Sequence, residues 1–207
     1  MPKEWSKRMK HIYLIRHGET DWNVQERFQG HTDIPLNENG RSQARQLISV
    51  CRHHKIEAIL SSDLSRALET AQIIATQLEI RVFQDSGLRE AHLGKAQGLT
   101  HSEIEQQFGR PLSERWKSSH LSDADISYPG GESGNAIMQR SFGAISKFLT
   151  HYPYTRIAVT THGGVIRRMM QKLLPAGSPP VPIPNGVIHA LHFEPEQGRF
   201  IIPELFT

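Results

Sequence analysis

Short apolar runs alternate with helical patterns along this chain, and that alternation limits its fold more than any other feature. Residues 11–16 (HIYLIR), 56–60 (IEAIL), 80–84 (IRVFQ) and 156–161 (RIAVTT) are brief and rich in β-branched or aromatic side chains, the pattern of buried strands. Between them lie helical stretches. One follows Asn37, a capping residue, and runs to about His54 with Ala44, Leu47, Ile48 and Cys51 on one face. A second spans about Leu64–Leu78, with Ser61 or Ser62 as its expected cap. The third is Glu132 to Tyr152, and the last runs from His162-Gly163-Gly164 to about Leu174. Strands separated by helices become parallel neighbours covered on both faces, so the expected fold is α/β, a three-layer α/β/α sandwich with a mainly parallel sheet. Residues 187–194 and 199–202 suit a closing antiparallel pair. Residues 88–130 lack strong periodicity except for a short helix near 101–108, and about 92–130 reads as a lid-like insertion. Residues 175–186, rich in Pro and Gly, read as a connector. The expected organisation is a flexible leader at 1–10 and a single domain at 11–207.

Composition narrows the function classes. The chain has 207 residues, enough for one domain with a full core, and a formal net charge of only +3. That excess can help attract anionic substrates but is too weak to argue for nucleic acid. No apolar run reaches the roughly 18–20 residues that span a bilayer, so no membrane role is expected. A single cysteine, Cys51, excludes an internal disulfide and suits a reducing, cytoplasmic setting; its helical position makes it a packing residue. The twelve histidines show no HExxH pair and no Cys/His cluster of ligand spacing, so neither a metal nor a cofactor is expected.

The chemistry-bearing residues fall at strand ends. Arg16 and His17 follow the first strand, Arg66 opens the helix after the second, Glu90 follows the third, and His162 follows the fourth. A parallel sheet brings such positions together at the carboxyl ends of its strands. Two guanidinium groups and two imidazoles there make an anion site suited to phosphate oxygens. A neutral imidazole beside that site can attack phosphorus, splitting one displacement into two. A carboxyl group can then protonate the leaving oxygen and later activate water.

These residues sit in longer strings. LIRHGETDWN (14–23), TDIPLNENGRSQA (32–44), SSDLSRALETA (61–71), LREAHLGKAQG (88–98), PGGES (129–133) and VTTHGGVIR (159–167) resemble, in order and spacing, the histidine phosphatase superfamily, phosphoglycerate-mutase-like branch. The resemblance covers residues 11 to about 190. It implies that His17 is the phosphorylated nucleophile and Glu90 the proton donor and acceptor. Arg16, Arg66 and His162 would bind the phosphoryl group, with Asn23, the Gln29-Gly30 turn, Gly163 and the Thr20 hydroxyl as further contacts. His92 and Trp116 are candidates for substrate specificity. No metal is implied.

Two activities compete within that resemblance. A phosphomonoesterase lets water cleave the phosphohistidine, whereas a 2,3-bisphosphoglycerate-dependent mutase returns the phosphate to the bound product. The mutases carry a longer insertion after the glutamate segment and usually a basic residue directly after the acid. Here 99–130 is short, offering only Arg110, Arg115 and Lys117, and Ala91 follows Glu90. Both departures favour a phosphatase of small phosphate monoesters, similar to the small bacterial-type enzymes, with α-ribazole phosphatase as one specific case. A catalytically silent phospho-ligand binder is the remote third reading. The resemblance leaves monomer and homodimer equally open.

Overall fold

A computed structural model describes residues 7–118 and 120–203. Six strands form one sheet: β1 (Lys10–Arg16), β2 (Ala58–Ser61), β3 (Arg81–Gln84), β4 (Arg156–Thr161), β5 (Ile188–Glu194) and β6 (Arg199–Ile201), in the order β3-β2-β4-β1-β5-β6. The four strands β3, β2, β4 and β1 are parallel; β5 and β6 are the antiparallel closing pair. Register aligns Arg16 with Thr161 and Ser61 with Thr160, so the carboxyl ends of β1, β2 and β4 share one edge.

Strand parity assigns the two faces. Ile12, Leu14, Ala58, Leu60, Ile157 and Val159 point into one core. That core lies beneath α6 (Gly134–His151) and α7 (Gly163–Leu173), whose Ile137, Ile145, Val165 and Met169 join it. Ile15, Ile59 and Ala158 point the other way, into a second core made by Leu47 and Cys51 of α2 (Glu38–His53) and Ala71 and Ile74 of α3 (Ser65–Leu78). The result is the three-layer arrangement expected from the alternation. Burial pushes the Cys51 thiol up to about 11, as suits a packing residue.

Local structure departs from expectation in three places. The helix α3 is not capped by Ser61 or Ser62: Leu64 occupies the cap without a side-chain bond, and the Asp33 carboxylate accepts from Ser65 N–H at 2.8 Å instead. After α1 (Asp21–Val24) and α4 (His101–Phe108), the insertion contains a further helix, α5 (Arg110–Lys117), with Pro111 in its first turn, a position where its missing N–H is harmless. Ala96, Ile104, Trp116 and Tyr128 bury into the main core, so this segment is packed as a wall of the domain. Residue 10, expected in the leader, belongs to the sheet. Lys10 begins β1 and is buried, its ammonium donating to the Tyr154 carbonyl at 3.0 Å, while residues 1–6 lie outside the described residues.

The loop after β1 presses against the start of α2 with no space for side chains. A Cβ on Gly40 would stand 2.1 Å from the Glu19 carbonyl oxygen, and one on Gly18 would stand 2.3 Å from that of Gly40. The contact is latched by polar groups. Asn37 and Asn39 donate to the Glu19 carboxylate, each at 3.0 Å, and Gln43 accepts from Glu19 N–H at 2.9 Å. Gly40→Ala should therefore cost on the order of 1–3 kcal/mol in urea unfolding, the range for forcing atoms into a filled space. Unchanged stability would mean that the loop is free to retreat.

Candidate active site

The end of β1 delivers His17 to the sheet edge almost wholly enclosed, at 2% exposure. Its Nδ1 lies 2.7 Å from the Gly18 carbonyl oxygen, which can only accept, so Nδ1 carries the proton. Burial, then the Arg66 and Arg16 charges, hold the ring well below the usual histidine range, against a smaller upward pull from Gly18. The neutral imidazole thus keeps its Nε2 lone pair free. Asn185 steadies this turn, donating from Nδ2 to the His17 carbonyl at 3.0 Å and to Asn23 Oδ1 at 3.2 Å.

Around His17 stand buried donors only partly used by the protein. Arg66 gives two guanidinium N–H groups to the carbonyls of Thr32 and Gly30, at 3.0 and 2.8 Å. Burial brings its pKa down to about 10, still cationic at neutral pH. Arg16 donates to the Ile183 carbonyl at 2.6 Å. His162 packs 5.1 Å from His17, centroid to centroid, with its Nε2 2.9 Å from Ser62 Oγ. Leu64 N–H already donates to that hydroxyl, so the Ser62 proton is free to go to Nε2. A neutral His162 then holds its own proton on Nδ1. Three buried nitrogens here have no hydrogen-bond partner among the described residues: Arg16 Nε, Arg66 Nε and His162 Nδ1. Each unmet donor costs about 1–3 kcal/mol, and an oxyanion among them would offset that cost.

Glu90 approaches from the loop after β3. Its Oε2 accepts from Gly164 N–H at 3.0 Å and its Oε1 from Ala91 N–H at 2.8 Å. A Cβ on Gly164 would stand 2.4 Å from Oε1, so the glycine pair opening α7 is what admits the carboxylate. The loop itself hangs on Arg140, which donates to the carbonyls of Gly87, Arg89 and Glu90 at 2.9, 2.6 and 2.9 Å. Arg140 is in turn held by Glu132, whose Oε1 also accepts from His92 N–H at 2.7 Å.

The crevice has a volume of about 540 Å³, lined by Arg16, His17, Asn23, Gln29, Gly30, Arg66, Glu90, Trp116 and Gly163 among others. Asn23 Oδ1 takes donors from Thr20 and Asn185, which leaves its NH₂ as the group with bonds to give. Two expected positions fall elsewhere. Thr20 is fully buried as the cap of α1, its hydroxyl bonded to Asn23, and acts on the crevice only through that residue. The His92 ring packs 5.0 Å from His31 and does not line the crevice. Sequence reading missed Asn185, Ser62, Glu132 and Arg140. The ES of PGGES was the available signal for Glu132 and the SS of SSDLSRALETA that for Ser62; the other two carried none. His162 is not among the residues lining the crevice, and it contacts Ser62 and His17. Among the described residues no group of three or more His, Cys, Asp or Glu is placed to hold a metal ion, and no helix is long and apolar enough to cross a membrane.

The model of the histidine phosphatase superfamily (branch 1) matches residues 12–202. The chain belongs to that superfamily. It is 41% identical over 167 residues to phosphoglycerate mutase-like protein 4 of Arabidopsis thaliana, covering 80% of this chain and 71% of that one. It is 31% identical over 194 residues to PhoE of Bacillus subtilis, named an uncharacterized phosphatase, covering 92% of each. Among solved structures, mycobacterial glucosyl-3-phosphoglycerate phosphatase in complex with VO3 superposes with a TM-score of 0.79 at 31% identity, covering 92% of this chain and 96% of that one. This histidine phosphatase is therefore an enzyme, and its relatives are phosphatases and mutase-like proteins.

The two buried imidazoles make stability depend on pH. His17 and His162 both have proton affinities well below the ordinary 6.5, through burial first and the Arg66 charge next. Below that value the unfolded chain binds more protons than the native one, so stability is fully present above it and falls as pH drops through it. The His162→Asn variant, with one such group fewer, should lose less stability than wild type between about pH 7.5 and about pH 5.5. Equal losses in urea titrations would show that the ring is not held neutral.

Proposed function

We propose that this histidine phosphatase hydrolyses small phosphate monoesters through a phosphohistidine on His17, with no metal. The observation that carries the reading is the set of three buried, unpartnered nitrogens beside a ring whose Nε2 is free. In the first step Nε2 forms a bond to phosphorus as the ester P–O bond breaks, and protonated Glu90 gives its proton to the leaving oxygen. In the second, Glu90 takes a proton from water, the water oxygen bonds to phosphorus and the P–N bond breaks. Inorganic phosphate leaves and His17 returns neutral. Arg16, Arg66 and His162 would meet charge on the equatorial oxygens in both steps, which is where fixed donors have most effect. Asn23, the Gln29-Gly30 turn and Gly163 N–H at the start of α7 would add donors.

A mutase would use the same nucleophile, so the choice rests on the acceptor. Ala91, following the acid, is buried in the crevice wall where mutases usually place a basic residue. That favours water as acceptor. That a mycobacterial relative forms a complex with VO3 is in keeping with an oxyanion as the ligand class.

Rapid-quench labelling with a turned-over substrate should show acid-labile phosphate on His17, and His17→Ala should lose turnover while keeping its fold. Glu90→Gln should slow alkyl phosphates by about 10²-fold or more, the usual contribution of a positioned acid, but p-nitrophenyl phosphate far less, since its leaving group needs little protonation. Equal slowing of both would remove Glu90 from the acid's place, and a large loss on adding chelator would reopen the question of a metal. With 3-phosphoglycerate and a bisphosphoglycerate primer, isomerisation faster than phosphate release would select the mutase. Rates across a panel of monoesters, α-ribazole phosphate included, would rank substrates.

A further inference from the structure

A second cavity, about 140 Å³, adjoins the crevice, and the two share Lys117, Arg167 and Pro180 in their walls. It lies between the end of α7 and the connector 175–186, away from His17. Its walls are largely apolar, with Met170, Leu174, Val181 and Ile183, and each of its polar side chains, Lys117, His120, Arg167, Gln171 and Ser178, is able to donate, while none is acidic. Arg167 is exposed and has no hydrogen-bond or ion-pair partner among the described residues. Lys117 makes only a long ion pair of 3.9 Å, with Glu105.

Gln171 supplies the independent sign of a ligand. It is 8% exposed and lines this cavity. Its Oε1 accepts from Arg168 Nη1 at 2.8 Å, and because a guanidinium can only donate, the amide cannot be turned the other way. Arg168 is itself fixed, buried under Trp116 and bonded to the carbonyls of Trp116 and Ser118 at 2.6 and 3.2 Å. Gln171 Nε2 is therefore held as a buried donor with no acceptor among the described residues. A buried amide left in that condition is costly unless something else accepts from it.

We propose that this cavity is a subsite for the far end of the substrate, and that the alcohol released by the phosphatase carries a carboxylate at the end of an apolar stem. The inference rests on the phosphatase reading for the position of the other end. A planar carboxylate fits the guanidinium fork of Arg167 and the amide of Gln171, with Lys117 adding charge. The apolar walls receive the stem. A second phosphate is the poorer match, because a dianion would be desolvated among the largely apolar walls of a cavity of only about 140 Å³.

Non-hydrolysable phosphonates test the subsite by binding alone. Calorimetry would compare alkylphosphonates of graded length with the same chains ending in a carboxylate or in a second phosphonate, on wild type and Arg167→Gln. At one or more lengths the carboxylate should bind wild type about tenfold more tightly than the plain chain, the size of one charge-assisted hydrogen bond partly screened by solvent. The advantage should shrink to near unity in Arg167→Gln and fall with added salt. No carboxylate advantage at any length, an advantage unchanged in Arg167→Gln, or tighter binding of the bisphosphonate would each overturn the proposal. Failure of the phosphatase reading is seen separately, as absence of p-nitrophenyl phosphate turnover and of His17 labelling.

Discussion

The structure depends on concentrating positive and hydrogen-bond-donating groups at one sheet edge while withholding some of their acceptors. Arg16 and Arg66 are tied down through part of their donor sets, to Ile183 and to Thr32 and Gly30, and His162 is held by accepting at Nε2 from Ser62. Those bonds fix direction and offset part of the desolvation cost. The remaining donors stand near His17 with no partner among the described residues. An incoming phosphoryl group is then bound by dipoles and charges already in place, with little reorganisation left to make. The same unmet donors lower the stability of the free protein, so a bound oxyanion should stabilise it by simple linkage.

That arrangement needs backbone approaches that side chains would block. Gly18 and Gly40 let the His17 turn seat on α2, and Gly164 lets Glu90 reach the start of α7. Polar latches then hold those loops. Glu19 gathers Asn37 and Asn39, Asn185 ties the connector to the His17 turn, and Arg140 with Glu132 suspends the carbonyls of the Glu90 loop. His17 and Glu90, the proposed nucleophile and acid, are thus positioned by separate sets of bonds, each anchored in a helix.

Much of this was legible in the residues. The strands and the long helices followed from period, and the convergence of Arg16, Arg66, Glu90 and His162 followed from where they stand relative to strand ends. What was hidden has a common physical character. Thr20 could have faced phosphate or its own helix, and local hydrogen bonding decided for the helix. α3 takes its capping acceptor from Asp33, which is 32 positions from Ser65. Arg140 looks like any surface arginine of a helix until the fold brings three carbonyls to it. The helix α5 was obscured by Gly109 and Pro111, which read as loop residues although a proline in the first turn is compatible with a helix. His92 sits beside the acid in sequence but turns toward His31. Periodicity reports burial along one element; it carries no information about polar pairs made across elements.

The opposed influences on His17 bear on both halves of the proposed cycle. Burial and the two arginines disfavour charge on the ring, which keeps Nε2 unprotonated and available, but the same effects make it a weaker nucleophile and a better leaving group. The Gly18 carbonyl works the other way, favouring positive charge by accepting from Nδ1–H. Once Nε2 carries the phosphoryl group, the ring is cationic and that bond strengthens, while the arginines meet the new negative oxygens instead of repelling the ring. The phosphorylated ring is thereby held well enough to form and loosely enough to release its phosphate. A histidine stabilised only by a carboxylate at Nδ1 would be a stronger base, protonated more readily at neutral pH and slower to surrender the group. A neutral carbonyl partner combined with two cations suits a turnover that ends in release.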